Sequence, residues 1–187
     1  LAYSKNSLKR KIKFYYQHPF EDKSGAFQYF FDELKRRKLT SKSFDGLFGI
    51  EIKNNISSPV NIFLYEYLNT TYQSGSDPQS DLSYGWDSYY NHYMYLSGWS
   101  YKGAIISNPL FTTGRLTNEG DYISNNRIKA HHIGLSGEFS KKIKHKLLFT
   151  YSKNYGTYWD EIVFLNSQKP YKYSSALEQF SALFELD

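Results

Sequence analysis

Residues 72–101 hold nine aromatic side chains in thirty positions, Tyr72, Tyr84, Trp86, Tyr89, Tyr90, Tyr93, Tyr95, Trp99 and Tyr101, against a chain-wide aromatic content of 19%. Asp87, Asn91 and His92 are interleaved with them. Flat rings that stack on the C–H edges of a pyranose, set among groups that bond sugar hydroxyls, are what a polysaccharide-gripping surface needs. The same rings would equally pack a long loop against itself or form the aromatic girdle that borders a membrane. A second constellation is the RIKAHH run at 127–132, where Arg127, Lys129 and His131 share one strand parity and His132 takes the other. Cations grouped there would suit an acidic glycan. A metal site on His131 and His132 is disfavoured, because adjacent side chains of a strand point to opposite faces.

Other chemistries find less support. Glu21 with Asp22, and Asp160 with Glu161, are the carboxylate pairs that glycoside hydrolysis would require, but neighbouring acids in loops are ordinarily just solvated. Cysteine is absent, which excludes a Cys nucleophile, a thiolate metal site and a disulfide framework. No Gly-rich phosphate loop and no nucleophile elbow occurs. The expectation is a protein without turnover, catalytic residues, metal or other cofactor. The net charge of +5 is uneven, since residues 1–43 carry 11 Lys and Arg against 4 Asp and Glu. An anionic glycan or a lipid headgroup suits that segment, and so on charge alone would nucleic acid, which is not an expected partner.

The elements that must position these groups read as strands. Ile12, Phe14 and Tyr16 alternate with polar neighbours, as do Phe48, Ile50 and Ile52, then Ile133, Leu135 and Phe139, then Leu147, Phe149 and Tyr151. Two segments fit less well. In 60–71, Val60, Ile62, Leu64 and Leu68 share parity with Glu66, and near the end Ala176, Phe180, Ala182, Phe184 and Leu186 share parity with Glu178. A bulge or a rim position would absorb either charge. Sustained helical spacing is hard to find, and no apolar run reaches the roughly 18 residues of a transmembrane helix. With 19 Tyr, 14 Phe and a mean hydropathy of -0.62, the composition suits strands with lipid on one side and water on the other.

The connections alternate in length. Short turns are expected near 5–9, 53–59 and 140–144, and long loops near 19–44, 72–125 and 157–173. Outer-membrane barrels have this asymmetry, with short periplasmic turns and long extracellular loops. The fold expected is therefore all-β, an antiparallel transmembrane β-barrel of the outer-membrane type. Seven strands are too few to close a water-filled barrel, so residues 1–187 are expected to form a partial barrel domain, about seven strands of a larger one. A porin-like transport channel fits the strand pattern as well as a binding protein does.

Five segments, KFYYQHPFEDKSGAF at 13–27, FLYEYLNTTYQSG at 63–75, YYNHYMYLSGWSYKGAIISNPLF at 89–111, NNRIKAHHIGLSG at 125–137 and LLFTYSKNYGTY at 147–158, together span most of the chain. In that order they resemble the capsule-assembly Wzi family of Bacteroidetes-type bacteria, in its C-terminal portion. The resemblance implies a bacterial outer-membrane barrel that binds capsular polysaccharide, holds it at the cell surface and catalyses no known reaction. Its partners would be capsular polysaccharide and outer-membrane lipid and lipopolysaccharide, and it would act as a monomer. The candidate polysaccharide-binding residues are Trp86, Tyr89, Tyr90, His92, Tyr93, Trp99, Tyr101, Arg127, Lys129 and His131.

Overall fold

A computed structural model describes residues 2–6, 10–19, 45–73, 88–92, 94–95, 97–106, 108–116, 120–157 and 176–187. Within these residues the chain is all-β and antiparallel. Seven strands form one sheet: β1 (Ala2–Asn6), β2 (Arg10–Gln17), β3 (Gly46–Asn54), β4 (Ile62–Asn69), β9 (Ile128–Ser140), β10 (Ile143–Asn154) and β11 (Leu177–Leu186). Each pairs with the next in that order, so the sheet is a meander, and β1 and β11 are its two edges. Between β4 and β9 lie two small hairpins, β5 (Ser100–Tyr101) with β6 (Ala104–Ile105), and β7 (Thr112–Leu116) with β8 (Gly120–Asn125).

The connections are grouped by length at the two ends of the sheet. At one end the chain reverses within 55–61 and at 141–142. The first of these turns is tied by Asn54 N to Asn61 O at 2.8 Å and by Ser58 N to Asn61 Oδ1 at 2.7 Å. At the other end the chain leaves through 18–45, 70–127 and 155–176.

One face of the sheet is apolar over three successive rows. In register, these are Tyr16, Phe48, Tyr67, His131, Tyr151 and Phe180, then Phe14, Ile50, Tyr65, Ile133, Phe149 and Ala182, then Ile12, Ile52, Phe63, Leu135, Leu147 and Phe184. The alternation of the sequence produces this face directly, because side chains two apart in a strand share a side. The first row, nearest the long connections, is a continuous line of rings. Centroids lie 4.5 Å apart for Tyr16–Phe48, 6.4 Å for Phe48–Tyr67, 5.0 Å for Tyr67–His131, 6.4 Å for His131–Tyr151 and 4.6 Å for Tyr151–Phe180. One row beyond, the face turns charged with Lys129, Lys153 and Glu178, and Lys153 pairs with Glu178 at 3.0 Å. Glu178 thus occupies a rim position.

The β4 strand corrects an expectation. Its apolar-face residues are Phe63, Tyr65 and Tyr67, whereas Ile62, Leu64 and Leu68 stand with Glu66 on the opposite face, without a bulge. That second face is mixed, carrying Lys13, Glu51, His132, Ser136, Thr150 and Ser181 among its aliphatic residues. On it the Tyr15 ring lies across Gly49, and a Cβ at that glycine would meet the ring at 2.1 Å. Only a residue without a side chain lets the ring reach β4, where the Tyr15 hydroxyl donates to Glu66 Oε1. Gly49→Val is expected to cost about 1–3 kcal/mol in urea unfolding through overpacking. Adding Tyr15→Ala should recover most of that loss, and no recovery would show that the ring is not what the glycine accommodates.

The buried hydrophobic core among the described residues is small and lies at the long-connection end. Tyr89, Phe111 and Ile128 are buried together, with Leu68, Tyr90, Ile105 and Leu110 packed against them. By contrast Phe14, Ile133, Leu147, Phe149, Phe180 and Phe184 remain exposed on the apolar face.

Candidate binding site under the long connection

The connection from β4 to β9 folds back over the mixed face, and one side chain organises the fold-back. Asp45, just ahead of β3, is buried, and its carboxylate accepts from Tyr72 N at 3.0 Å, Gln73 N at 2.6 Å and the Tyr89 hydroxyl at 3.2 Å. Its carbonyl accepts the Tyr16 hydroxyl at 2.8 Å and lies 2.9 Å from His18 Nδ1. Burial raises the Asp45 carboxyl above the ordinary carboxylate range, and the three donors and His18 oppose that rise.

Asn126 makes a second tie. Its Nδ2 donates to Ser88 Oγ at 3.1 Å and to Tyr89 O at 2.8 Å, and its carbonyl accepts Thr70 Oγ1 at 2.7 Å and Gln73 Nε2 at 2.9 Å. Asn125 adds a link to β10 through Asn154 Oδ1 at 2.9 Å. Side-chain amides and hydroxyls satisfy the backbone of an irregular segment that is buried away from water, as such a segment requires.

Between this segment and the mixed face is a cavity of about 560 Å³, lined by Gln17, His18, Leu47, Glu66, Leu68, Tyr90, Asn108, Phe111, His132 and Thr150, among others. Glu66 and His132 are direct cross-strand neighbours. Glu66 Oε1 is engaged by Tyr15, and His132 Nδ1 lies 2.7 Å from Thr150 Oγ1. The other polar atom of each, Glu66 Oε2 and His132 Nε2, has no hydrogen bond among the described residues. Glu66 is the one acid among the described lining residues, and these include neither Lys nor Arg. The arrangement can bind a polar ligand that presents hydroxyls. Among the described lining residues no second acid accompanies Glu66 of the kind that glycoside hydrolysis uses.

The sequence-predicted residues divide into separate groups. Tyr89 is buried at 3% exposure and belongs to the core, so it offers no free ring to a surface ligand. Arg127 is also buried, and its Nε donates to Thr71 O at 3.2 Å, because it precedes β9 and points into the fold-back. Lys129 and His131 stand on the apolar face, and His131, in the ring row, has its Nδ1 2.8 Å from the hydroxyl of Tyr65 in the next row. The RIKAHH cations therefore do not converge on one site. Tyr90 lines the cavity, and the ring of His92, beyond it, lies 5.0 Å from that of Tyr95. Trp99 and Tyr101 are exposed at 63% and 67%, presented by the β5–β6 hairpin through Trp99 N to Tyr90 O at 2.8 Å. Trp86, Tyr93 and the acid pairs Glu21–Asp22 and Asp160–Glu161 lie outside the described residues.

Glu66, Gln17, Asn108 and Thr150 were not singled out by motif. The signal for Glu66 was its being a lone acid inside FLYEYL, on a parity otherwise aliphatic. Comparison with protein-family models, curated proteins and solved structures finds no match.

Proposed function

We propose that the sheet is part of an outer-membrane β-barrel that binds capsular or exopolysaccharide and helps assemble or anchor it at the bacterial surface, without turnover. The observation that carries the membrane half is the apolar face. Three rows of aliphatic and aromatic side chains run unbroken across six strands, and no described element covers them. In water a continuous patch of this kind demands a partner, and lipid is the partner that a sheet with a mixed opposite face fits. The row of rings from Tyr16 to Phe180, bordered by Lys129, Lys153 and Glu178, is what a membrane interface selects. Ten residues, the length of β11, rising about 3.3 Å each and tilted about 40°, span about 25 Å, the height of such an apolar band.

On this reading further strands join at the β1 and β11 edges to close the barrel, the long connections face outward, and the fold-back over the mixed face occupies the lumen. A partly filled lumen favours binding over free conduction. The polysaccharide half rests on the family resemblance and on the exposed rings Tyr95, Trp99 and Tyr101. Trp99→Ala with Tyr101→Ala is expected to leave assembly intact and weaken glycan retention roughly thirtyfold, at about 1 kcal/mol per lost ring contact. Flow cytometry of surface glycan on cells carrying the well-inserted variant provides the measurement. Undiminished glycan would remove these rings from the site.

A further inference from the structure

We infer that the cavity over Glu66 and His132 is a second glycan subsite, within the lumen, which takes a neutral hexose or hexosamine residue and rejects a uronic acid. The inference rests on the glycan-binding reading and adds to it a location and a sugar class. A cavity of about 560 Å³ lies in the size range of small-ligand sites and accommodates a pyranose with its linkages. A pyranose has an apolar C–H face and a rim of hydroxyls, and the lining is divided in the same way. Tyr90 supplies aromatic surface on the side of the fold-back, its ring held edge-on against the buried Phe111. Opposite them, on the sheet, Glu66 Oε2 and His132 Nε2 are unspent polar atoms on neighbouring strands. The Gln17 amide and Asn108 Nδ2, both on the lining, likewise have no hydrogen bond among the described residues.

These groups are held in place before any ligand arrives. Tyr15 fixes one oxygen of Glu66 across Gly49, and Thr150 fixes His132 through Nδ1. A carboxylate oriented in this way accepts two sugar hydroxyls or an ammonium group. No Lys or Arg stands on the described lining, so a uronate would enter directly against Glu66 with only the imidazoles of His18 and His132 beside it. At a separation of about 5 Å that repulsion is expected to weaken binding at least about 100-fold.

Isothermal titration of the intact natural protein in detergent micelles with chitotriose, chitosan trimer and trigalacturonate tests this. Wild type should bind the first two, with trigalacturonate at least about 100-fold weaker. Glu66→Gln, which retains an acceptor for the Tyr15 hydroxyl, should lose about tenfold for chitosan trimer and close most of the gap to trigalacturonate. Variants are compared only where gel mobility before and after heating shows normal folding. Preference of wild type for trigalacturonate would overturn the proposal. So would unchanged affinities in a Glu66→Gln, His132→Gln double variant. If that double variant binds normally while Trp99→Ala, Tyr101→Ala loses affinity, the lumenal subsite is wrong and the glycan reading stands. Should wild type bind none of the three trimers, both fall together.

Discussion

Phe149→Arg is expected to destabilise the folded sheet in a lipid bilayer by about 2–4 kcal/mol, the range for a cation at the midplane of a barrel's lipid face. Phe149 lies in the middle of the three apolar rows, between Ile133 and Ala182, so its guanidinium has the longest path to either interface. In a water-soluble protein the outcome would be different. The Phe149 side chain is 39% exposed, and a polar replacement at such a position ordinarily changes stability by no more than about 0.5 kcal/mol. Ser181→Arg serves as the control, because Ser181 sits one residue along in register on the mixed face. Urea titration in lipid vesicles, read by gel mobility without heating, should show a large loss for Phe149→Arg and a loss under about 1 kcal/mol for Ser181→Arg. Equal, small losses would mean that the apolar face does not meet lipid, and the membrane reading would be abandoned.

Much of the sheet was legible in the sequence because its strands are long and one face is chemically uniform. The alternation in 10–17, 46–54 and 143–154 identifies the correct apolar face, and the alternation of short and long connections anticipates the meander. In β4 hydropathy points the wrong way, since Leu64 and Leu68 are more apolar than Tyr65 and Tyr67 yet occupy the mixed face. Register with β3 and β9 decides that face, and register is not written in one strand alone. The hairpins at 100–105 and 112–125 were missed because strands of two to six residues carry too few positions for a period. The binding residues were harder still. Tyr89 and Trp99 belong to one aromatic-rich stretch, yet one is core and the other surface, and what separates them is the hydrogen bond from Tyr89 to Asp45, 44 positions away.

Asp45→Ala is expected to release the fold-back while leaving the sheet assembled. The substitution leaves the Tyr72 and Gln73 amides and the Tyr89 hydroxyl without their acceptor. Each buried donor left unsatisfied costs about 1–3 kcal/mol, so the docking of the segment should lose on the order of 4 kcal/mol. The Tyr16 hydroxyl, on the apolar face, bonds the Asp45 backbone carbonyl rather than its carboxylate, and an alanine keeps that carbonyl. The released state should show as protease cleavage within 88–111 and, on the barrel reading proposed above, as larger single-channel current in planar bilayers. The pH dependence follows from the raised carboxyl. The docked segment holds a proton that the undocked one releases, so docking is strongest below the ordinary carboxylate range and weakens as pH rises through the raised value, levelling off above it. His18, beside the Asp45 carbonyl, moderates this by favouring the ionised form. In Asp45→Asn the slope should flatten while the segment remains more closed than in Asp45→Ala, since one acceptor oxygen survives. Current and cleavage unchanged in Asp45→Ala would show that the Asn126 ties and the Tyr89–Phe111–Ile128 core suffice to hold the segment down.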